Sequence, residues 1–299
     1  MSVKLSIAAL KSLRRHDIRI LVAVEHGMIT REYVEPRFIA RFTGLGEDYV
    51  LERLKALNKL GLVQRTKRPY LGYLLTSRGY DCLALNALIK QGVLESISPT
   101  PLGEGKESEV YAGLTPGGRK VAVKFHRVGR VSFRKTRRVR GYVAERRHIS
   151  WIYEARLSAS HEYEALEKLF RGGVSVPEPV GWNRHIVVTG YIEGVELFRV
   201  PPLTDPEGTM ARVLEEAGKA YRLGVIHGDL SEYNVLVVGE GDTIVLFDWP
   251  QWIPSTHPQA RRYLERDIRR IAGFFKRKYG LEIDPREVTE DFLRGIGLR

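Results

Sequence analysis

The chain has 299 residues, 43% of them apolar, and carries 48 Lys and Arg against 36 Asp and Glu, a net charge of +12. That size and apolar content suit about two domains with real hydrophobic cores and exclude a disordered protein. The single cysteine, Cys82, excludes an internal disulfide and a cysteine-based zinc site, the eight histidines lack metal-ligand spacing, and no apolar run approaches the roughly 18 residues of a membrane span. Lys4 and Lys11 interrupt the first apolar stretch, so it does not read as a signal peptide, and the expected location is cytoplasmic.

An excess of +12 points to a polyanionic partner: nucleic acid, membrane surface or polyphosphate. It is unevenly placed. Residues 1–92 carry +8, residues 93–126 are neutral, residues 127–147 carry another +8, and residues 148–299 carry −4. Two basic regions are thus attached to a slightly acidic body.

The N-terminal third reads as short helices followed by a hairpin. Pro36 to Phe42 suits a helix with proline in its first turn, and Thr43 to Gly46 a turn. Glu47 to Lys59 places Val50, Leu51, Leu54 and Leu57 on one helical face, and Gly61 is placed to end it. Leu62 to Arg65 and Tyr70 to Thr76 form two extended runs about a basic turn. Together these predict a winged helix-turn-helix. Arg53, Lys55, Lys59, Arg65, Lys67 and Arg68 are its candidate phosphate contacts. The second helix opens with Glu47 and Asp48, which opposes sequence-specific reading of duplex DNA and favours a non-specific nucleic-acid or ribonucleoprotein contact. Pro99 and Pro101 then break the pattern and predict a domain boundary at 96–101.

Beyond that boundary, Gly103-Glu104-Gly105-Lys106-Glu107-Ser108-Glu109-Val110 predicts a strand–turn–strand whose glycines let backbone amides approach phosphates. It lacks the Gly-Lys-Ser/Thr ending of a Walker loop and follows the glycine loop of protein kinases, with Ser108 at the third glycine position. Val121-Ala122-Val123-Lys124 is an alternating strand ending in lysine, the pattern of the kinase lysine that holds nucleotide phosphates. A helix over 155–170 offers Glu162 and Glu164 as partners of that lysine. Glu162 is preferred because it adjoins Tyr163 on the more buried side; the alternative leaves both facing solvent near Lys168. His227-Gly228-Asp229-Leu230-Ser231-Glu232-Tyr233-Asn234 repeats the kinase catalytic-loop spacing of Asp and Asn, with Gly228 in place of the usual arginine. Asp229 suits the hydroxyl-orienting base, and Asn234 and Asp248, as oxygen donors, suit magnesium. Asp248 ends an apolar run and reads Asp-Trp-Pro where kinases carry Asp-Phe-Gly. The basic helix Arg261 to Lys278 reads as a last helix packing on the body.

At these motifs the sequence resembles the RIO family of atypical protein kinases, in its second, winged-helix-bearing subfamily. Supporting residues include Gly103 to Ser108, Lys124 to Arg130, Ser132-Phe133-Arg134, His227 to Asn234, His257-Pro258 and Tyr263 to Asp267. The resemblance implies an α+β fold: an N-terminal winged helix-turn-helix domain over 1–92, a linker over 93–100, and a compact two-lobed protein-kinase-like domain. Its N-lobe would span 101–190, with a basic insertion loop at 127–147, and its C-lobe 191–299. The resemblance further implies ATP and Mg2+ as cofactors, held by Gly103, Glu104, Gly105, Lys106, Ser108, Val110 and Lys124, with Lys124 paired to Glu162. Backbone groups of Gly190 and Ile192 would meet the adenine, although Thr189-Gly190 departs from the usual hinge. Asp229 would be the catalytic base, Asn234 and Asp248 would hold magnesium, and Asp248 could accept phosphate. The implied role is serine kinase or ATPase activity in late maturation of the small ribosomal subunit, with its precursor particle as partner. Arg130, Arg134, Arg137 and Arg138 in the basic loop are candidate contacts to its RNA. Competing readings are a small-molecule phosphotransferase, since His-Gly-Asp also occurs in antibiotic and choline kinases, and a nucleotide-sensing DNA-binding regulator.

Overall fold

The computed structural model describes residues 3–68, 70–105, 107–127, 150–239 and 243–298. They fall into two compact units, one drawn from 1–159 with 181–188 and the other from 160–180 with 189–299. Lys106, Arg130, Arg134, Arg137 and Arg138 lie outside the described residues, as does the basic loop beyond Arg127.

The first unit opens with helices α1 (Val3–Ser12), α2 (Arg15–Gly27), α3 (Pro36–Thr43) and α4 (Glu47–Lys59), then strands β1 (Val63–Thr66) and β2 (Gly72–Leu75) and helix α5 (Ser77–Lys90). Pro36 begins α3 because its missing N–H would lack an intrahelical partner there. Gly44 ends it at φ 68°, a left-handed conformation that glycine adopts without cost. Glu47 and Asp48 sit in the first turn of α4, where they complement the helix dipole. The hairpin pairs Val63 with Leu75 through to Thr66 with Gly72. Ile20, Leu21, Val24, Ile39, Val50, Leu54, Leu57, Leu62 and Tyr73 make a dry core beneath these elements. The result is a winged helix-turn-helix, to which α1 and α5 add a layer. Ser6 Oγ on α1 donates to Asp81 Oδ2 on α5 at 2.8 Å. Burial beside Asp81 pushes the Cys82 thiol up to about 12 and keeps it inert.

The segment expected as a linker at 93–100 runs into a strand. β3 (Ser96–Glu104) pairs antiparallel with β4 (Ser108–Leu114), which pairs with β5 (Lys120–His126). The sheet order is β3-β4-β5-β7-β6, with β6 at Pro179–Asn183 and β7 at Ile186–Gly190. Pro99 and Pro101 are tolerated because β3 is an edge strand and its register shifts at Pro101, so no inner ladder loses a donor.

Nor is the N-terminal module loosely tethered to the sheet. Arg127, expected in a solvated basic loop, is buried at 7% exposure. Its guanidinium meets Asp81 at 2.6 and 3.1 Å and Glu109 of β4 at 3.2 Å. His185, in the turn between β6 and β7, bonds Asp81 Oδ1 at 2.8 Å and stacks on Tyr80. Arg184 of the same turn forks onto Glu25 of α2 at 2.6 and 2.8 Å. A high charge density thus does not keep Arg127 at the surface, because two carboxylates offset its desolvation.

The second unit contains the C-terminal part of α6 (Ser150–Arg171), β8 (Val195–Glu196), a 3₁₀ turn at Leu197–Arg199, α7 (Pro206–Arg222), β9 (Val225–Ile226), β10 (Val235–Val238), β11 (Thr243–Leu246), β12 (Ile253–Pro254), α8 (Ala260–Tyr279) and α9 (Pro285–Gly295). Asp205 caps α7 through the Gly208 N–H and Asp284 caps α9 through the Arg286 N–H, each with proline at the first helical position. β8, β10 and β11 form one antiparallel sheet, and β9 pairs with β12. Val213, Ile226, Leu246, Trp249, Ile268 and Phe275 are buried. Among the described residues no helix is long and apolar enough to cross a membrane.

Burial alone would raise the pKa of Asp81, but Arg127 and His185 outweigh it and hold the carboxyl at about 2. A carboxyl depressed in this way stabilises the fold above its unfolded pKa, about 4, and that stabilisation is lost as pH falls toward the folded value. Asp81→Asn strips Arg127 of its closest partner and should cost the first unit about 3–5 kcal/mol. Urea melts at neutral pH should show this, with the gap to wild type closing below about pH 4. Equal midpoints at neutral pH would refute the account.

Candidate active site

In the first unit the glycine-bearing segment is the β3–β4 hairpin. Gly103 pairs with Val110 and Glu104 with Glu109, and the Gly105 N–H donates to the Ser108 carbonyl at 2.8 Å to close the turn. Gly103, Glu104 and Gly105 are exposed, and Ser108 and Val110 half-buried. Lys124 stands directly across from Val110 on β5. The two share one half-buried face with Ala122, while Val121, Val123 and Phe125 point into the core. This alternation fixes the direction of Lys124, since a slip of one residue would bury its ammonium.

The second unit gathers Glu162, Gly190, Ile192, Asp229, Asn234 and Asp248. Glu162 is buried on α6, and one of its oxygens accepts from the Trp249 N–H at 3.3 Å. The Gly190 N–H is already given to the Glu178 carbonyl at 2.8 Å and so is not free for a base. Ile192 is half-buried in the irregular segment that follows.

The loop between β9 and β10 is held by its own backbone. Asn234, buried, donates its Nδ2–H to the Asp229 carbonyl at 2.8 Å, and its own carbonyl accepts from the Phe247 N–H at 3.0 Å. The loop Asp and the residue before Asp248 are therefore both tied to Asn234. His227 is buried, which pushes its pKa down and keeps the imidazole neutral, and its Nε2 bonds the Phe247 carbonyl at 3.1 Å. Asp248 lies at φ 67°, a left-handed conformation uncommon for a residue other than glycine and typical of functional turns. Trp249 stands where kinases carry phenylalanine. Its ring is wholly buried against His227 at 4.4 Å, and its Nε1–H reaches the Leu246 carbonyl at 3.1 Å.

The helix expected only to pack on the body also reaches into this loop. Asp267 of α8 is buried and accepts from the Gly228 N–H at 2.9 Å. Burial raises its pKa against the pull of His227 and Arg266. Arg266 donates to the Gly228 carbonyl and to Asp267 Oδ1. Arg270, one turn on, meets Asp229 Oδ1 at 2.7 Å, with both side chains about half exposed. None of these three was assigned a role from sequence. The available signal was Asp267 on the otherwise apolar stripe of Leu264, Ile268 and Ile271.

Among the described residues no cluster of three or more His, Cys, Asp or Glu forms a metal cage. Magnesium needs none, since it takes one or two protein oxygens and completes its shell with phosphate and water. Asn234 and Asp248 fit that pattern. With its Nδ2 committed to Asp229, Asn234 presents its oxygen as the remaining ligand atom.

Of the proposed nucleic-acid contacts, Lys55, Lys59, Arg65, Lys67 and Arg68 are exposed on α4 and the wing. Arg53 is not available. Its guanidinium forks onto Asp17, which is fully buried, at 2.8 and 2.9 Å, and removing it would strand a carboxylate in the core.

Gly228 is also explained. It sits at φ 77°, and a Cβ there would lie 2.4 Å from the Gln251 carbonyl. Gly228→Ala should therefore cost the second unit at least about 1–3 kcal/mol through backbone strain alone. A chemical-denaturation midpoint equal to wild type would show that the loop relaxes without cost.

Comparison with known proteins finds two family matches along the sequence. A family described as "RIO domain" matches residues 109–288, and one described as "Rio2, N-terminal" matches residues 10–91. The RIO-type serine/threonine-protein kinase Rio2 of Methanocaldococcus jannaschii is 42% identical over 265 residues, covering 87% of this chain and 96% of that one. The serine/threonine-protein kinase RIO2 of Caenorhabditis elegans is 38% identical over 93% of this chain, which spans only 53% of that longer protein. The crystal structure of the Rio2 kinase–ADP/Mg2+–phosphoaspartate complex from Chaetomium thermophilum superposes with a TM-score of 0.83 at 29% identity, covering 96% of this chain and 92% of that one. The chain belongs to the RIO family of serine/threonine protein kinases, in its Rio2 branch.

Proposed function

We propose that this kinase uses ATP and Mg2+ to drive a step in maturation of the small ribosomal subunit, bound to the precursor particle through RNA. The observation that carries the catalytic part is the linked set Asp229, Asn234 and Asp248, in which Asn234 is fixed on the Asp229 backbone and Asp248 is held in a left-handed turn. Phosphoryl transfer needs positioning and charge neutralisation more than covalent help. Magnesium, when bound, neutralises charge on the β- and γ-phosphates, and Asn234 and Asp248 are the residues that would hold it. Lys124 supplies a fixed cation from β5, and the β3–β4 hairpin supplies backbone amides for the phosphates. Asp229 orients the attacking hydroxyl and accepts its proton.

Asp248 is a second candidate acceptor. The Chaetomium relative is described with ADP, Mg2+ and a phosphoaspartate. Here the corresponding step would have a carboxylate oxygen of Asp248 attack the γ-phosphorus. An O–P bond forms as the bond to the β–γ bridging oxygen breaks, and ADP leaves. Water would then cleave the acyl phosphate, making the cycle an ATPase cycle. Support for a ribosomal partner comes from the winged helix and the two +8 stretches, a distribution suited to a large polyanion and not to a small-molecule acceptor.

Magnesium-dependent ATP hydrolysis, measured with and without small-subunit particles, tests this reading. Asp229→Ala should lower turnover at least about 100-fold, and particles should change the wild-type rate. Asp248→Asn should abolish any hydroxylamine-labile phosphate on the protein. Turnover unaffected by Asp229→Ala would overturn the catalytic assignment, and indifference to particles would overturn the ribosomal one.

A further inference from the structure

The winged-helix module carries a surface that its expected reader helix does not use. On α4, Glu47, Asp48 and Glu52 are exposed beside Lys55 and Lys59, and Arg53 is locked onto Asp17. That mixed face is poorly suited to a polyanion. α3 differs. Arg37 and Arg41 are exposed one turn apart, and Phe38 and Phe42 form an adjacent stripe with the same spacing. Phe42 keeps 47% of its surface in solvent. The two phenylalanine rings stack at 6.1 Å, the Arg31 guanidinium lies 4.6 Å over Phe38, and the exposed His26 ring lies 4.9 Å from Phe42.

Charge on this face is uncompensated. Among the described residues neither Arg37 nor Arg41 has a carboxylate partner. The acids of α2 are engaged elsewhere, Asp17 by Arg53 and Glu25 by Arg184. Glu32 and Glu35 precede the helix and leave its C-terminal half, with Arg41 and Phe42, without an acid. Arg19 of α2 donates to the Thr43 carbonyl and adds a further cation at that end. The surface is also rigid, because Ile39 and Ala40 on the opposite side of α3 are buried in the core.

An exposed aromatic ring beside unpaired guanidinium groups suits a nucleotide whose base face is open and whose phosphates lie alongside. A duplex keeps its base faces within the stack, so the ring selects an unpaired strand. We infer that the α3 face is a docking surface for single-stranded RNA, with Phe42 stacking on an unpaired base and Arg37 and Arg41 on neighbouring phosphates. This deepens the proposed RNA role of the module and rests on that reading.

The test uses the full chain and fluorescence anisotropy with a labelled, mixed-sequence single-stranded RNA of about 20 nucleotides, over about 50–200 mM salt. Phe42→Ala should weaken binding about tenfold with little change in salt slope, and Phe42→Trp should restore it. Arg37→Ala with Arg41→Ala should flatten the log–log salt slope by about 1.4, from roughly 0.7 per phosphate contact on a single strand. Lys55→Ala with Lys59→Ala should bind nearly as wild type, and duplex RNA of the same sequence should be insensitive to Phe42→Ala. Arg37, Arg41, Lys55 and Lys59 are exposed, so their variants should keep wild-type melting curves, and magnesium-dependent ATP turnover should stay at wild-type values in every variant; Phe42→Ala gives up ring contacts with Phe38 and His26 and is therefore read against Phe42→Trp. Wild-type affinity in both α3 variants, or a larger loss in the α4 variant, would overturn the inference while leaving an RNA role standing. Absence of RNA binding by the wild-type chain would overturn both, with the kinase assignment still judged by Asp229→Ala.

Discussion

The second unit is organised around one buried carboxylate. Asp267 contacts almost no water, and a charge in that position is costly unless several donors meet it. The Gly228 N–H and Arg266 do so, and their geometry dictates the backbone at Gly228. Once that residue is fixed in a left-handed turn, Asp229 must leave the strand toward solvent. Asn234 is then clamped to its carbonyl, and Asn234 and His227 together hold Phe247. Asp248 follows directly. Asp229, Asn234 and Asp248 thus take their places along a chain of short hydrogen bonds that starts in α8.

The first unit solves a related problem with the opposite electrostatic outcome. At Asp267 burial dominates and the pKa is raised, whereas at Asp81 a guanidinium and an imidazole overcome burial and the pKa falls. A carboxylate held with a full opposite charge at 2.6 Å makes a stiff joint. That joint connects α1 and α5 of the winged helix with β4 and with the end of β5, the strands that carry Val110 and Lys124. Winged helix and glycine hairpin are thereby parts of one body.

What could be read from sequence follows from this division. The segment His227 to Asn234 was legible because its members contact one another within a few residues, so spacing alone encodes their geometry. Lys124 was legible because strand alternation assigns it a face. Arg53, Arg127 and Asp267 were not, since their partners lie 36, 46 and 39 residues away. Composition treats every arginine as surface charge until its partner is known. The prolines of β3 misled for a related reason: they exclude an inner strand but not an edge strand, and only the sheet order tells the two apart. Gly228 read as a departure from the kinase arginine, yet the Gln251 carbonyl leaves no room for any side chain there.

The net charge, too, means less than its sum. A sum of +12 counts Arg53 and Arg127, yet both are consumed inside the first unit by Asp17, Asp81 and Glu109. The field that reaches a partner is set by cations without such partners, and these are not spread over the winged helix in proportion to its arginines. On α4 they are interleaved with carboxylates; on α3 they flank exposed aromatic rings. A protein selected for grooves of duplex DNA would be expected to place its free cations on the reader helix. Here that helix begins with acids and spends its central arginine on the core, so its face offers a polyanion few free cations.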